Sequence, residues 1–194
     1  EIQTDPNFGN YRIRIAGEEG DDPGYDRIVL LDFGAVQAYS DDFLKPVIQM
    51  IRASYENDLQ AVIDGGVKLR FMSTEWPDEV LEKFGQVCMS VLEPLSSDKD
   101  VWPDYAVNSH GEYRWKQSEL PSRVARQAAR SAISRYFRVP PKEFVFLNRK
   151  LIGVYTFVAV LNSEFNGEPL LRKYLYGEGD DAPDASATSQ STKA

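Results

Sequence analysis

Gln3-Thr4-Asp5-Pro6-Asn7-Phe8-Gly9-Asn10 and, further on, Ile28-Val29-Leu30-Leu31-Asp32-Phe33-Gly34-Ala35-Val36 decide how this chain is read. The first is a turn-rich segment in which Asn10 follows Asp5 at a spacing of five. The second is a short apolar run that ends in an acid and then a glycine. Between them Tyr11-Arg12-Ile13-Arg14-Ile15 alternates with period two, and together with Arg27-Ile28-Val29-Leu30-Leu31 it predicts a β-hairpin. The Gly-, Pro- and acid-rich stretch Gly17 to Asp26 would be its long solvated loop. Phosphoryl transfer asks little covalent work of a protein; it needs an acid near the acceptor hydroxyl and oxygen ligands for divalent metal on the phosphates. Magnesium prefers oxygen donors and keeps several waters, so one Asp and one Asn carbonyl beside the phosphates suffice. Asp-x-x-x-x-Asn is by itself a frequent pattern and Asp-Phe-Gly a rarer one; their order, and the strand pattern around the second, carry the weight.

Beyond Gly34 the apolar period becomes helical. Leu44, Val47, Ile48, Ile51, Tyr55, Leu59 and Val62 share one face after the cap candidates Ser40 and Asp42, with Pro46 limiting how early the helix begins and Gly65-Gly66 ending it. A second helix is expected from Pro77, with Val80, Leu81, Phe84, Val87, Cys88, Val91 and Leu92 inward and Pro94 as its stop. Residues Asp98 to Gln117 look irregular. A third helix, about Leu120 to Phe137, would turn Val124, Ala128, Ala132 and Tyr136 inward and set Arg123, Arg126, Arg130 and Ser134 on another face. A fourth follows Pro140-Pro141 to about Phe165, and a short fifth covers Pro169 to Tyr176. The predicted fold is mainly α with a short β-hairpin: residues 1–36 as turn, hairpin and acid-bearing loop, residues 37–176 as a helical bundle, and residues 177–194 as a disordered acidic, Ser- and Thr-rich tail.

Composition narrows the function classes. The chain has 194 residues, 42% hydrophobic and 27% charged, enough for one globular domain or a large piece of one. Its longest apolar stretch, Leu151 to Leu161, is too short to span a bilayer. One cysteine, Cys88, and one histidine, His110, exclude an internal disulfide framework and a thiolate or histidine metal cluster, and fit a reducing compartment. Cys88 falls on an apolar helix face and His110 in a loop; Trp76, Trp102 and Trp115 read as packing residues. The net charge of −8 is concentrated at the ends: residues 1–26 hold seven acids and two bases, and residues 177–194 hold four acids and one base. The body between them is neutral; the chain as a whole is acidic and lacks a reader motif, so nucleic acid is not expected as a partner. Within that body Arg114 to Arg138 carries seven bases against Glu119 alone, a basic segment expected to be a solvated face or a contact for an anionic membrane surface. The opening Glu1-Ile2-Gln3-Thr4 has neither an initiator Met nor a leader pattern, and the chain is expected to be a piece of a longer protein.

The two opening segments resemble the catalytic-loop and metal-loop blocks of the UbiB/AarF/ADCK atypical kinase family. The resemblance continues through Ile48-Gln49-Met50-Ile51-Arg52-Ala53, Val139-Pro140-Pro141 and Asn148-Arg149-Lys150-Leu151-Ile152-Gly153, and spans about residues 1 to 175. It implies the C-terminal lobe of a protein-kinase-like fold over residues 1–176, with ATP and Mg2+ as cofactors. By the protein-kinase pattern Asp5 would orient or deprotonate the acceptor, Asn10 would hold one metal, and Asp32, followed by Phe33 and Gly34 at the nucleotide, would bridge metal and phosphates. A role of the parent protein in ubiquinone biosynthesis follows, in a bacterial cytoplasm with peripheral membrane association or on the matrix side of the mitochondrial inner membrane. The phosphate-cradling loop, phosphate-binding Lys and Glu-bearing helix of a kinase have no counterpart here. The partner expected for these residues is therefore the N-terminal lobe of the same protein, and the 194 residues alone are expected to be inactive. An aminoglycoside-phosphotransferase-type small-molecule kinase and a non-catalytic helical interaction module are the alternatives.

Overall fold

In the computed structural model the described residues are 2–3, 7–17, 24–32, 36–132, 136 and 139–177. The polypeptide opens with β1 (Ile2–Gln3), β2 (Tyr11–Arg14), β3 (Arg27–Leu30) and β4 (Val36–Gln37), and continues as α1 (Asp41–Tyr55), α2 (Leu59–Lys68), α3 (Asp78–Val91), α4 (Leu120–Ala132), α5 (Lys142–Val160) and α6 (Glu168–Tyr176). The hairpin forms as its alternation predicts: β2 and β3 are antiparallel, with Tyr11 opposite Leu30 and Ile13 opposite Ile28. Directly opposed residues share a sheet face, so the apolar side chains line one face and Arg12, Arg14, Arg27 and Val29 the other. A second ladder pairs β1 with β4, Ile2 opposite Gln37 and Gln3 opposite Val36. The acidic loop reading over Gly17 to Asp26 rests partly on residues 18–23, outside the described residues, as does the tail reading from residue 178 on.

The first helix differs from expectation in two ways. It begins at Asp41, ahead of Pro46, because the carbonyl that proline leaves unbonded belongs to Asp42, in an exposed first turn that water reaches. It also stops at Tyr55. Asn57 takes a positive φ of 58°, and the Asp58 side chain accepts the Ala61 N–H at 3.0 Å, starting α2 as a new element. Ile48, read as inward, is exposed, whereas Phe43, Met50 and Ala53 are buried.

Gly65 and Gly66 do not end a helix; they are where α2 lies against its neighbours. A Cβ at Gly65 would stand 2.1 Å from Met50 Cγ, and one at Gly66 would stand 2.7 Å from Met72 Sδ. Gly65→Ala is expected to destabilise the fold. Better helix propensity contributes about 1 kcal/mol, but forcing Met50 out of a close-packed core costs about 1–3 kcal/mol. Urea unfolding should therefore give a lower midpoint, and a raised one would contradict the packing described.

Two apolar clusters hold the helical part together. One joins α1 and α2 to Leu69, Phe71, Met72 and Trp76, with Phe144 and Leu147 of α5 packed on it. The other is built around Trp102, Tyr113 and Trp115 with Leu120, Val124 and Tyr155. Most of the second comes from the stretch read as irregular. Its backbone is indeed short turns, Lys99–Val101 and Asp104–Ala106, and a bridge between Val107 and Tyr113. Rings pack it: Trp102 and Trp115 flank Tyr113 at 5.3 and 5.4 Å between centroids, both edge-on. The C-terminal α6 docks on the α1–α2 corner, where Tyr55 donates to Glu168 at 2.6 Å, Tyr176 donates to Glu56, and Arg52 donates to the Leu175 carbonyl at 3.1 Å. α3 lies close to its predicted bounds; α5 starts as expected but stops at Val160, short of Phe165, where Asn162 takes a positive φ of 52°, and α4 is described as far as Ala132.

Candidate functional site

Asn7 shapes the turn that precedes the hairpin. Its side chain accepts the Gly9 N–H at 3.0 Å and its carbonyl accepts the Asn10 N–H at 3.0 Å, closing one short helical turn, Phe8–Asn10. Asn10 then stands at the mouth of the ladder: the Leu31 N–H donates to its carbonyl at 2.8 Å, one residue before Asp32. Antiparallel register thus brings Asn10 and Asp32, twenty-two positions apart in sequence, to the same end of the hairpin. Asn10 is half-buried and Asp32 exposed. Asp5, Phe33 and Gly34 lie outside the described residues. Their flanks, Gln3 and Val36, are opposite one another in the β1–β4 ladder.

This end of the hairpin leans on α5. Phe157 stacks on Phe8 at 5.7 Å and meets Tyr11 at 5.1 Å with its ring tilted, and Lys150 Nζ donates to the Tyr11 hydroxyl at 2.9 Å. The block Asn148 to Gly153 carries no local sign of a task for Lys150, nor does Phe157 beyond it; the ring partner of Phe8 and Tyr11 comes from far along the chain, and no local spacing encodes it.

Among the described residues no group of three or more His, Cys, Asp or Glu side chains is arranged to hold a metal. Asn10 and Asp32 instead supply one amide carbonyl and one carboxylate. That donor set fits a hydrated magnesium ion completed by phosphate oxygens and does not fit a soft-metal site.

The basic segment is not one free field. Arg123, read as solvated, forms a two-pronged pair with Glu93, Nη2 to Oε1 at 2.6 Å and Nη1 to Oε2 at 2.9 Å, while its Nε donates to the Ser118 carbonyl at 2.8 Å. Glu93 is 7% exposed and also accepts the Tyr113 hydroxyl at 2.7 Å. The guanidinium's pKa is raised, chiefly by its hydrogen bonds to Glu93, and burial pushes the Tyr113 phenol upward. Arg114 pairs with Glu164 at 3.2 Å. Lys116, Arg126 and Arg130 remain exposed, and Arg135 and Arg138 lie outside the described residues.

The remaining chemistry-bearing residues are structural. The Asn108 side chain accepts the His110 N–H at 2.9 Å in an exposed turn. Burial pushes the Cys88 thiol up to about 12, which keeps it protonated and inert. Trp76, Trp102 and Trp115 are core residues.

A family model described as the ABC1 atypical kinase-like domain matches residues 1–65, the stretch that contains the hairpin and both site segments. Along most of its length the chain is similar to the probable serine/threonine-protein kinase abkA of Dictyostelium discoideum, 24% identical over 165 residues, 85% of this chain and 27% of that protein. It is 26% identical over 182 residues to the mitochondrial atypical kinase coq-8 of Caenorhabditis elegans, covering 91% of this chain and 22% of the relative. The mitochondrial atypical kinase COQ8B of Rattus norvegicus is 25% identical over 163 residues, 84% of this chain and 27% of its own. The chain therefore spans about a quarter of the length of these relatives. A mainly helical chain headed by a small antiparallel hairpin agrees with a kinase-like fold lobe, and in sequence it is similar to atypical kinases of the ABC1 and COQ8 kind.

Proposed function

We propose that these residues form the metal- and acceptor-side lobe of an atypical kinase or ATPase that uses Mg-ATP, within a protein that serves isoprenoid-quinone biosynthesis. The observation that carries this reading is the convergence of Asn10 and Asp32 at one end of the hairpin, in a segment that matches a kinase-like domain. Bound Mg-ATP supplies the phosphoryl group. Asp32 and Asn10 would offer the metal a carboxylate and a carbonyl oxygen, Phe33 and Gly34 would serve the nucleotide, and Asp5 would hold or accept the proton of the attacking hydroxyl or water. The groups that cradle the phosphates come from an N-terminal lobe outside these 194 residues, a reading supported by relatives of which the chain covers only 22–27%. Relatives named as mitochondrial favour the matrix side of the inner membrane over a bacterial cytoplasm. Among the described residues, Lys116, Arg126 and Arg130, exposed on one segment, are bases available to meet an anionic membrane.

Calorimetry tests the division of labour. These 194 residues alone should bind ATP weakly or not at all with magnesium present, and the full-length protein should bind it saturably. Tight magnesium-dependent binding by the 194 residues would show that the phosphate-holding groups lie within them, and failure of the full-length protein to bind would refute the function.

A further inference from the structure

We infer that Lys150 is a positioning residue: from α5 it clamps Tyr11 and so fixes the hairpin end that carries Asn10 and Asp32, an assignment that rests on the function proposed above. A two-stranded ribbon is marginally stable on its own. This one is poorly covered, with Ile13 42%, Ile28 55% and Leu31 58% exposed. Its orientation against the helices therefore depends on whatever holds its base. Phe8 and Tyr11 bracket Asn10 closely in sequence, and both rings rest on Phe157. Lys150 precedes Phe157 by seven residues, two helical turns, so the two side chains lie on one face of α5.

A ring contact alone lets Tyr11 shift across Phe157; a hydrogen bond to the hydroxyl at its far edge holds it. The Lys150 ammonium makes that bond at 2.9 Å. Tyr11 begins β2, and the residue before it accepts the Leu31 N–H, so a fixed Tyr11 fixes the spacing between the Asn10 turn and the strand that leads into Asp32. In this role Lys150 would act on the metal through Tyr11 and the hairpin end, without being a ligand itself.

The test compares wild type with Tyr11→Phe, which removes only the hydroxyl, and with Lys150→Met and Lys150→Arg, all in the full-length protein. Two readouts separate the clamp from the function. Hydrogen exchange at the Leu31 amide, independent of any catalysis, should quicken about 10-fold in Tyr11→Phe and in Lys150→Met, with Arg restoring part of the protection. The Mg2+ concentration for half-maximal ATP turnover should rise about 10-fold in the same two variants, with the KM for ATP little changed, as expected when a group behind a metal ligand is lost. The double variant should resemble either single one, because both remove the same link. Unchanged exchange in Tyr11→Phe overturns the clamp whatever turnover shows. Faster exchange with an unchanged Mg2+ requirement overturns the link to the metal. A Lys150→Met variant that raises the KM for ATP while Tyr11→Phe does nothing would make Lys150 a phosphate ligand instead. Wild type without Mg-dependent turnover would refute the proposed function and leave exchange to decide the clamp.

Discussion

Arg123→Met is expected to destabilise the fold by about 3–5 kcal/mol, a drop in Tm on the order of 10 °C for a domain of this size. The cause is what the substitution leaves behind. Glu93 lies at the end of α3 in a turn closed by Pro94, is 7% exposed, and is matched by both prongs of the guanidinium. Without Arg123 the carboxylate keeps only the Tyr113 hydroxyl, and a charge with one neutral donor cannot repay its desolvation. Glu93→Gln should cost less, because Arg123 retains the Ser118 carbonyl and reaches solvent, and Tyr113 can still donate to an amide oxygen. A double variant identifies the cause. If the stranded carboxylate is responsible, adding Glu93→Gln to Arg123→Met should restore part of the lost stability, because the buried charge is gone while Tyr113 keeps an acceptor. Thermal unfolding measures it; a double variant no more stable than Arg123→Met would mean that lost packing, and not a stranded charge, is the cause.

Asp32→Asn in the full-length protein is expected to lower magnesium-dependent ATP turnover by about 100-fold or more while leaving the circular dichroism spectrum unchanged. The structural half of that expectation follows from exposure: Asp32 sits past the end of β3, and packing around it is not at stake. The chemical half follows from charge. An amide keeps an oxygen for the metal but removes the negative charge that opposes the cation and helps to orient the phosphates. Asp5→Asn should act differently, lowering turnover more than nucleotide binding, since its role is at the acceptor. Turnover in Asp32→Asn equal to wild type, with the fold intact, would remove Asp32 from the site.

The elements with strong local signals were legible in the sequence. Period-two alternation at Tyr11 to Ile15 produced the hairpin, and Pro77 and Pro141 marked the starts of α3 and α5 because proline suits the entry to a helix. The break between α1 and α2 was written in Asn57-Asp58, a left-handed residue followed by a cap, yet the apolar face continues across it and masks the signal. Gly65-Gly66 read as a stop because glycine weakens helices in isolation; only the Met50 and Met72 side chains, contributed from elsewhere, show why no Cβ fits there. The same reasoning separates the legible part of the site from the rest. Asn10 and Asp32 can be paired from hairpin register alone. Lys150 and Phe157 cannot, nor can the Glu93–Arg123 pair, which joins the end of one helix to the first turn of another. Charge counting along Arg114 to Arg138 overstated the free basic surface because two of its arginines, Arg114 and Arg123, are neutralised by acids outside that segment.

The most direct test of the site locates a metal. Crystals of the full-length protein grown with Mn2+ and a non-hydrolysable ATP analogue would show the ion by its anomalous scattering. The predicted peak lies at a coordination distance of ~2.1 Å from the Asn10 side-chain oxygen and an Asp32 carboxylate oxygen, with the remaining ligands from phosphate and water. A nucleotide-bound ion held by other residues, with Asn10 and Asp32 both out of its reach, would contradict the assignment of the hairpin end as the metal site.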